Sequence, residues 1–387
     1  MLRSLDLPRR SRRPVLGRLA AASLLALSLS LPGAGPVSAV ACDVASQTWQ
    51  VVAEPDAALT EAFASYGNDH DGWSGGDSTY SVTLGAGRRI WAFSDTLIGP
   101  VNDDGTQPLD TEFVNSSFVI EAEGRIARTV TGGTPAERTG LLAPTENGWY
   151  WQGASHLTDD GRSLDVVFLH FERFGPGQWD WAWSANVLGR FDAGSLRLRE
   201  VVPLPSETGV NWGLWIARDG AHTLVYGVED LGLVKYMRIA RVTGDDLSQP
   251  WEYWTGDGWS SAEADSVRVM PGVANEYSVT AFEDGYLLVT HDTNELFSAR
   301  IVGYVSCAPT GPFLPIGTLY TTPETGLFGS YGNLNVFTYN AHEHPDLRTA
   351  DGLLVTYNVN SFVPDDLYAD VTIYRPRFVR VDLQPVP

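Results

Sequence analysis

Carboxylates recur along this chain at a spacing that suits acid–base chemistry. Asp77 opens a run that alternates polar and apolar residues as far as Leu84, and Asp95 closes a second, apolar run that begins at Arg89. Gly85-Ala86-Gly87 between them can turn, so the two runs predict a β-hairpin. In an antiparallel pair the start of one strand neighbours the end of the other, which sets Asp77 and Asp95 at one rim of one sheet. Glu276 lies two residues before a similar run at Ser278, and Glu229 ends another. Neighbouring carboxyls in different surroundings can divide their labour, one ionised as base or nucleophile and one protonated as acid. On this reading Asp77 is the base or nucleophile, Glu276 the acid, and Asp95 orients the substrate or tunes the acid. Glu229 and Asp230 are the alternatives for the acid, with Glu172 and Asp292 behind them. A plainer reading competes with each: an Asp after Gly-Gly often caps a turn, and a strand-end acid can serve backbone donors.

The elements that would position these groups repeat. Trp215-Ile216-Ala217 leads through Asp219-Gly220 to a strand ending at Glu229; Ser278-Val279-Thr280 leads through Asp284-Gly285 to Asp292; His344 to Leu347 leads through Asp351-Gly352 to Asn358. Each strand end lies 14 residues after its start, as Asp95 does after Ser81, and a copy from Ser155 to Glu172 has a loop three residues longer. The ends at Asp95, Glu172, Glu229, Asp292 and Asn358 are 77, 57, 63 and 66 residues apart. Five units of about 66 residues suit four-stranded propeller blades with long loops. The expected fold is therefore all-β: a single five-bladed β-propeller of four-stranded antiparallel blades over 73–387, preceded by a lead-in segment over 42–72. Trp49-Gln50-Val51-Val52 is a candidate strand to pair with the last unit and cover its edge. Only Ala57 to Ala64 has helical character.

The N-terminus reads as an export signal over 1–41. Arg9, Arg10, Arg12 and Arg13 form a basic region, Leu19 to Leu31 is apolar but short for a membrane span, and Ala39-Val40-Ala41 is a cleavage site. Ser11-Arg12-Arg13 also fits a twin-arginine signal, with general export as the alternative. Taking its six arginines and one aspartate from 26 basic and 47 acidic residues leaves 20 and 46, a net charge near −26. Such a chain repels nucleic acid and anionic membrane and suits a neutral substrate. The two cysteines, Cys42 and Cys307, allow either a disulfide outside the cell or a lipid anchor on Cys42; the disulfide is the preferred reading.

The phrases Gly75-Gly76-Asp77-Ser78-Thr79-Tyr80-Ser81-Val82, Trp91-Ala92-Phe93-Ser94-Asp95-Thr96, Tyr226-Gly227-Val228-Glu229-Asp230, Glu252-Tyr253-Trp254-Thr255-Gly256 and Tyr357-Asn358-Val359-Asn360-Ser361 resemble those of an uncharacterised secreted family common in actinobacteria. The resemblance spans roughly residues 65–382 and implies a five-bladed propeller. In layout that family is similar to propeller glycoside hydrolases such as arabinanases, invertases and levansucrases, and more distantly to endo-D-arabinanases. It lacks the local motifs of those enzymes. What the layout implies is a secreted glycoside hydrolase on a neutral polysaccharide, one containing arabinofuranose among the possibilities. Its two carboxyls would stand about 6.5–9.5 Å apart for inversion or about 5–5.5 Å for retention. The alternative is a non-catalytic carbohydrate-binding propeller of the cell envelope. In either case the expected partner is a polysaccharide or oligosaccharide, and the expected state is a monomer.

Other residues support substrate binding. Even offsets share a strand face, so Asn340 and His342 are expected beside Asp77 and Glu276. Trp73, Trp151 and Trp212 fall near inner-strand starts, where rings can stack on sugar faces; most other tryptophans, Trp179, Trp181, Trp183, Trp251 and Trp254 among them, are expected between blades. No cofactor is called for. Asn68-Asp69-His70-Asp71 could hold Ca²⁺ but matches no calcium loop, and a solvated loop is the simpler reading. His342 and His344 lack a third metal ligand, which favours a hydrogen-bonding role. No nucleophile elbow, phosphate loop or dinucleotide fingerprint occurs.

Overall fold

The computed structural model describes residues 42–386 except 70, 71, 178 and 179. The expected export signal, the histidine and last aspartate of the acidic loop, and Trp179 lie outside the described residues. What is described is all-β, built on five antiparallel sheets of four or five strands.

Each sheet begins with one of the repeated hairpins. The first holds Tyr80–Gly85, Arg88–Phe93, Ser117–Ala122 and Arg125–Val130. The second holds Gly148–Leu157, Ser163–Arg173, Trp181–Asp192 and Leu198–Pro203. The third runs from Val210–Asp219 through His222–Asp230, Lys235–Thr243 and Trp251–Trp254 to the short Trp259–Ser260. The fourth holds Tyr277–Phe282, Gly285–His291, Arg300–Ser306 and Leu314–Thr321. The fifth is made of both ends of the described chain: Val336–Glu343, Leu353–Ser361, Pro376–Pro385, and outermost Trp49–Pro55, which pairs in seven-residue register with the C-terminal strand. The opening strands of consecutive sheets touch. From the fifth sheet back to the first, His344 Nδ1 lies 2.7 Å from Ser81 Oγ, and Asn358 Nδ2 donates to Thr79 Oγ1 at 2.9 Å.

The core lies between sheets rather than in one central mass. Tyr80, Phe118, Leu164, Phe168 and Phe191 fill the first wedge, and Leu287, Ile301, Val336, Tyr357 and Val381 fill the one between the fourth and fifth sheets. Trp251, Trp254, Trp181 and Trp183 pack in the wedges among the second, third and fourth sheets, between blades as expected. Ala57–Asp69 is helical over 13 residues, longer than its sequence suggested. Asp56 caps it by accepting from Leu59 N at 3.0 Å, and Phe63 buries its ring against Trp73, Trp91, Phe93 and Phe378. Long-range hydrophobic anchoring, not local periodicity, sets that helix's length.

Two local expectations differ. Asp77 does not open the hairpin strand, which begins at Tyr80; Asp77, Ser78 and Thr79 form a turn after the short strand Trp73–Gly76. The last unit's first strand ends at Glu343, and Pro345–Leu347 is a 3₁₀ turn, because proline cannot donate into a ladder. Cys42 and Cys307 form a disulfide that joins the N-terminal segment to the end of a fourth-sheet strand. The Cys42 sulfur that a lipid thioether would need is thereby engaged.

Candidate active site

A backbone turn shapes the site. Ser78 and Thr79 adopt left-handed φ values of 70° and 61°, costly for residues with a Cβ. Three sheets hold the turn in place. Ser94 N donates to Asp77 O at 3.1 Å, and Asp77 N donates to Asp95 O at 3.2 Å. Ser78 Oγ lies 2.7 Å from Glu276 Oε1 and 2.8 Å from Ser94 Oγ. Asn358 binds the Thr79 hydroxyl, and His342 Nε2 lies 3.3 Å from Thr79 O. Strained residues held by their surroundings often mark functional sites.

The turn brings Asp77, Asp95 and Glu276 together. Tyr339 donates its hydroxyl to Asp77 Oδ2 at 2.6 Å, and Asn360 Nδ2 donates to that hydroxyl at 2.9 Å. Asp95 Oδ1 accepts from Asn115 Nδ2 at 2.9 Å and from Trp151 Nε1 at 2.6 Å. Asp77 and Asp95 are partly exposed, whereas Glu276 is 7% exposed. Asp77 Oδ1, Glu276 Oε2 and His342 Nδ1 are buried and make no hydrogen bond among the described residues. The last two are 3.7 Å apart.

Burial without a cation governs the proton affinities. Among the described residues no Arg or Lys pairs with any of the three carboxyls. Desolvation lifts Asp77 to about 6 against the hydrogen bonds from Tyr339 and Tyr374. Desolvation, with the neighbouring Asp77 charge added, lifts Asp95 to about 8. Glu276 rises well above the usual carboxyl range, chiefly through burial. Burial pushes His342 down to about 4, so it is neutral. Near neutral pH the group offers one carboxylate among protonated carboxyls, the distribution that general acid–base chemistry needs.

The other expected residues are placed differently. Glu229 is clamped by Arg268 and Arg238, each at 2.6 Å; the Arg268 hydrogen bond leads in lowering it to about 2, and a group that acidic cannot store a proton at neutral pH. Asp230 pairs with Lys235, Asp292 pairs with Arg300 at 2.6 Å, and Glu172 is exposed. Trp73 and Trp212 are fully buried and offer no face to a sugar: Trp73 packs on Phe63 and Phe93, and Trp212 Nε1 donates to Glu263 at 3.0 Å. Trp151 is partly exposed and holds Asp95. His342 is fully buried and stacks on Tyr80 at 4.5 Å, supporting the turn from beneath. Asn340 sits in a bulge with φ of 56°. Asn68 Oδ1 accepts from Arg375 at 2.9 Å, which engages one arm of the acidic loop; among the described residues no three metal-ligating side chains cluster. A cavity of about 200 Å³ lies along the opening strands, lined by Ser81, Thr83, Ser155, His156 and Trp215, and excludes the carboxyls. Sequence reasoning missed Tyr339, Tyr374, Asn115 and Asn360. Only Asn360 lay in a phrase already singled out.

Residues 60–383 match the family described as a domain of unknown function, DUF5005. No curated protein sequence matches the chain. Among solved structures, a Bacteroides ovatus protein provisionally described as a hydrolase superimposes with a TM-score of 0.72 at 17% identity, covering 92% of this chain and 96% of that one. The fold is thus shared with that protein. The α-L-arabinofuranosidase of Podospora anserina, solved with cellotriose, aligns at TM-score 0.48 and 12% identity over 82% of this chain and 93% of its own. A GH62 α-L-arabinofuranosidase domain of Coprinopsis cinerea aligns at 0.45 and 10% identity over 88% and 97%.

Proposed function

The chain belongs to the DUF5005 family, and from that premise we propose that it is a glycoside hydrolase acting outside the cell on a neutral polysaccharide, one containing arabinofuranose being the first choice. We read its five sheets as the blades of one propeller, with residues 42–72 leading in and the chain acting as a monomer. The observation that carries the reading is the group of three uncompensated carboxyls at one rim. Other acids that the repeat places at strand ends, Glu229 and Asp292, have arginine partners; these three have none. Structural carboxylates are normally paired, because an unpaired buried charge is costly, whereas raised proton affinity in several adjacent acids is a mark of catalytic sites. The disulfide suits an oxidising compartment, and the acidic surface suits an uncharged substrate.

The roles follow from reach. Asp77, the most acidic of the three, is the base or nucleophile: it takes a proton from water or attacks the anomeric carbon. Asp95 is the proton donor. Both of its hydrogen bonds end on Oδ1, which leaves Oδ2 to protonate the glycosidic oxygen as the bond to carbon breaks. Glu276, the acid expected from spacing alone, is enclosed by Ser78 and His342 and acts as a neutral positioning carboxyl beneath the turn. Tyr339 orients Asp77.

The test is to incubate the mature protein and Asp77→Asn with arabinan, arabinogalactan and other neutral cell-wall polysaccharides and follow reducing ends. Release by the parent that disappears in Asp77→Asn supports the assignment. Release that survives the substitution keeps a hydrolase and discards this site. Retention on a polysaccharide with no release identifies a carbohydrate-binding protein instead.

A further inference from the structure

Beside the carboxyls lies a cluster of phenylalanines that sequence reasoning did not single out. Phe337 and Phe362 stack with centroids 4.4 Å apart and planes at 20°. Phe297 meets Phe362 edge-on at 4.7 Å and Phe337 at 5.7 Å. Phe297 is 50% exposed and Phe362 39%. Three separate segments supply them: the loop after the second strand of the fourth sheet, the first strand of the fifth, and the residue after its second. Single exposed rings need no explanation, but a contiguous group converging from distant segments does. Phe297 also holds a left-handed φ of 50°, a conformation that costs energy in a bulky residue.

The cluster is continuous with the site. Phe337 and Tyr339 stand two apart on one strand, so they share a face, and their rings are 5.3 Å apart. Tyr339 in turn donates to Asp77. A row of rings therefore leads from the reacting carboxylate outward over Tyr339 and Phe337 to Phe362 and Phe297. Two residues of strand span about 7 Å, comparable to one sugar unit.

We propose that Phe297, Phe337 and Phe362 form a platform on which successive units of a neutral glycan chain stack, holding the polymer so that one linkage lies over Asp77. This rests on the hydrolase reading for its direction, since the platform leads to Asp77. Ring faces suit sugar C–H surfaces; beside them Asp292 and Glu295 share Arg300, and Asp366 accepts from Asn333 and Ser361. The acids there, exposed Asp365 among them, outnumber Arg300, which a neutral chain tolerates and an anionic polymer does not.

The experiment is affinity electrophoresis of the full mature protein in gels containing linear arabinan, arabinogalactan or arabinoxylan, carried out in the Asp77→Asn background so that the polymer stays intact. Phe337→Ala and Phe297→Ser should each weaken retention about tenfold, and Phe362→Trp, which keeps a ring, should retain it. Melting curves identify any variant that has unfolded; Phe297→Ser, at an exposed loop, is the variant least exposed to that risk. In the parent enzyme the same changes should raise KM for the polymer far more than they lower kcat. Unchanged retention in Phe297→Ser and Phe337→Ala overturns the platform, as does absence of retention of the Asp77→Asn protein on all three polymers. Sedimentation showing a dimer that these substitutions dissociate overturns it in favour of contact between copies. The two readings fail separately. Ring-dependent retention without any bond cleavage removes the hydrolase and keeps the platform, whereas cleavage of long polymer insensitive to the rings does the reverse.

Discussion

At the scale of single residues, the three rim carboxyls trade stability for chemistry. Each binds its proton more tightly folded than unfolded. Below the ordinary carboxyl value near 4 the folded state carries no penalty; stability then falls as pH rises through about 6 for Asp77 and about 8 for Asp95. Asp95→Asn should therefore raise the melting temperature by about 2–4 °C at pH 8, with little change at pH 4, while reducing-end release drops at least a hundredfold. Equal destabilisation at both pH values would show that no charge penalty existed. The kcat/KM profile of the parent should be bell-shaped, with an acid limb near 6 and an alkaline limb near 8 belonging to the Asp77–Asp95 pair. Glu229 has the opposite sign. Its lowered value contributes stability above about 4.5 that is lost as pH falls towards 2. Glu229→Gln should keep reducing-end release at the parent level and lower stability by about 1–2 kcal/mol by freeing Arg238 and Arg268; a loss of release without a loss of stability would return Glu229 to the site. Spacing alone could find these acids, because a repeat shows which positions share a rim. It could not show which of them meet an arginine, since Arg238 and Arg268 come from outside the hairpin. Nor could it separate Trp73 and Trp212 from a sugar platform: a large apolar ring looks the same in sequence whether its strand face meets a neighbouring sheet or solvent.

At the scale of elements, the hairpins were legible and their irregular starts were not. Alternation and glycine-containing turns locate the opening strands of the first four sheets; in the fifth the repeat points to His344 to Leu347, just past the strand Val336–Glu343. Several of these strands break register near the rim: Gln152/Ser155, Trp212/Trp215 and Tyr339/His342 flank shifts. Two of the breaks contain glycines that admit no side chain. A Cβ on Gly153 would lie 2.4 Å from Gly213 O, and Gly213 has φ of 78° with Val167 against it. These breaks undo the parity argument that set Asn340 and His342 on the face of Asp77, because a bulge shifts the face of everything before it. Asn340 is thus read as a conformational residue, suited to left-handed φ, and not as a sugar ligand. Asn340→Gly should leave stability within about 0.5 kcal/mol and polysaccharide retention unchanged, and Asn340→Ala should cost about 1 kcal/mol. Retention lost in the glycine variant, with the melting curve intact, would make the amide a binding group after all.

At the scale of the molecule, the five-fold repeat carried most of the architecture, since a unit recurring every 66 residues or so has to bury the same faces each time. The start of the helix after Asp56 was legible but its extension to Asp69 was not, because its anchor, Phe63, packs on residues distant in the chain. The fifth sheet depends on both ends of the described chain. The strand Trp49–Pro55 is hydrogen-bonded to the C-terminal strand, and just before it Cys42 is tied to Cys307 across 265 residues, while Asp284 accepts from Asp43 N and Val44 N at 2.7 and 3.0 Å. A crosslink over so long a loop restricts the unfolded chain strongly, by about 5 kcal/mol on the chain-entropy account. Cys42→Ser with Cys307→Ser should accordingly lower the free energy of unfolding by about 3–5 kcal/mol, read from urea midpoints, with reducing-end release retained because the rim lies on other segments. Deleting through Pro55 should do more, since it also strips the outer strand from the fifth sheet, exposes the edge of Pro376–Pro385, and loosens the sheet that carries Tyr339 and Asn360; release should fall along with stability. If the double serine variant loses under about 1 kcal/mol, the seven-residue pairing alone holds the terminus. If it loses release as well, the crosslink reaches the rim through the fifth sheet, and scaffold and site are not separate.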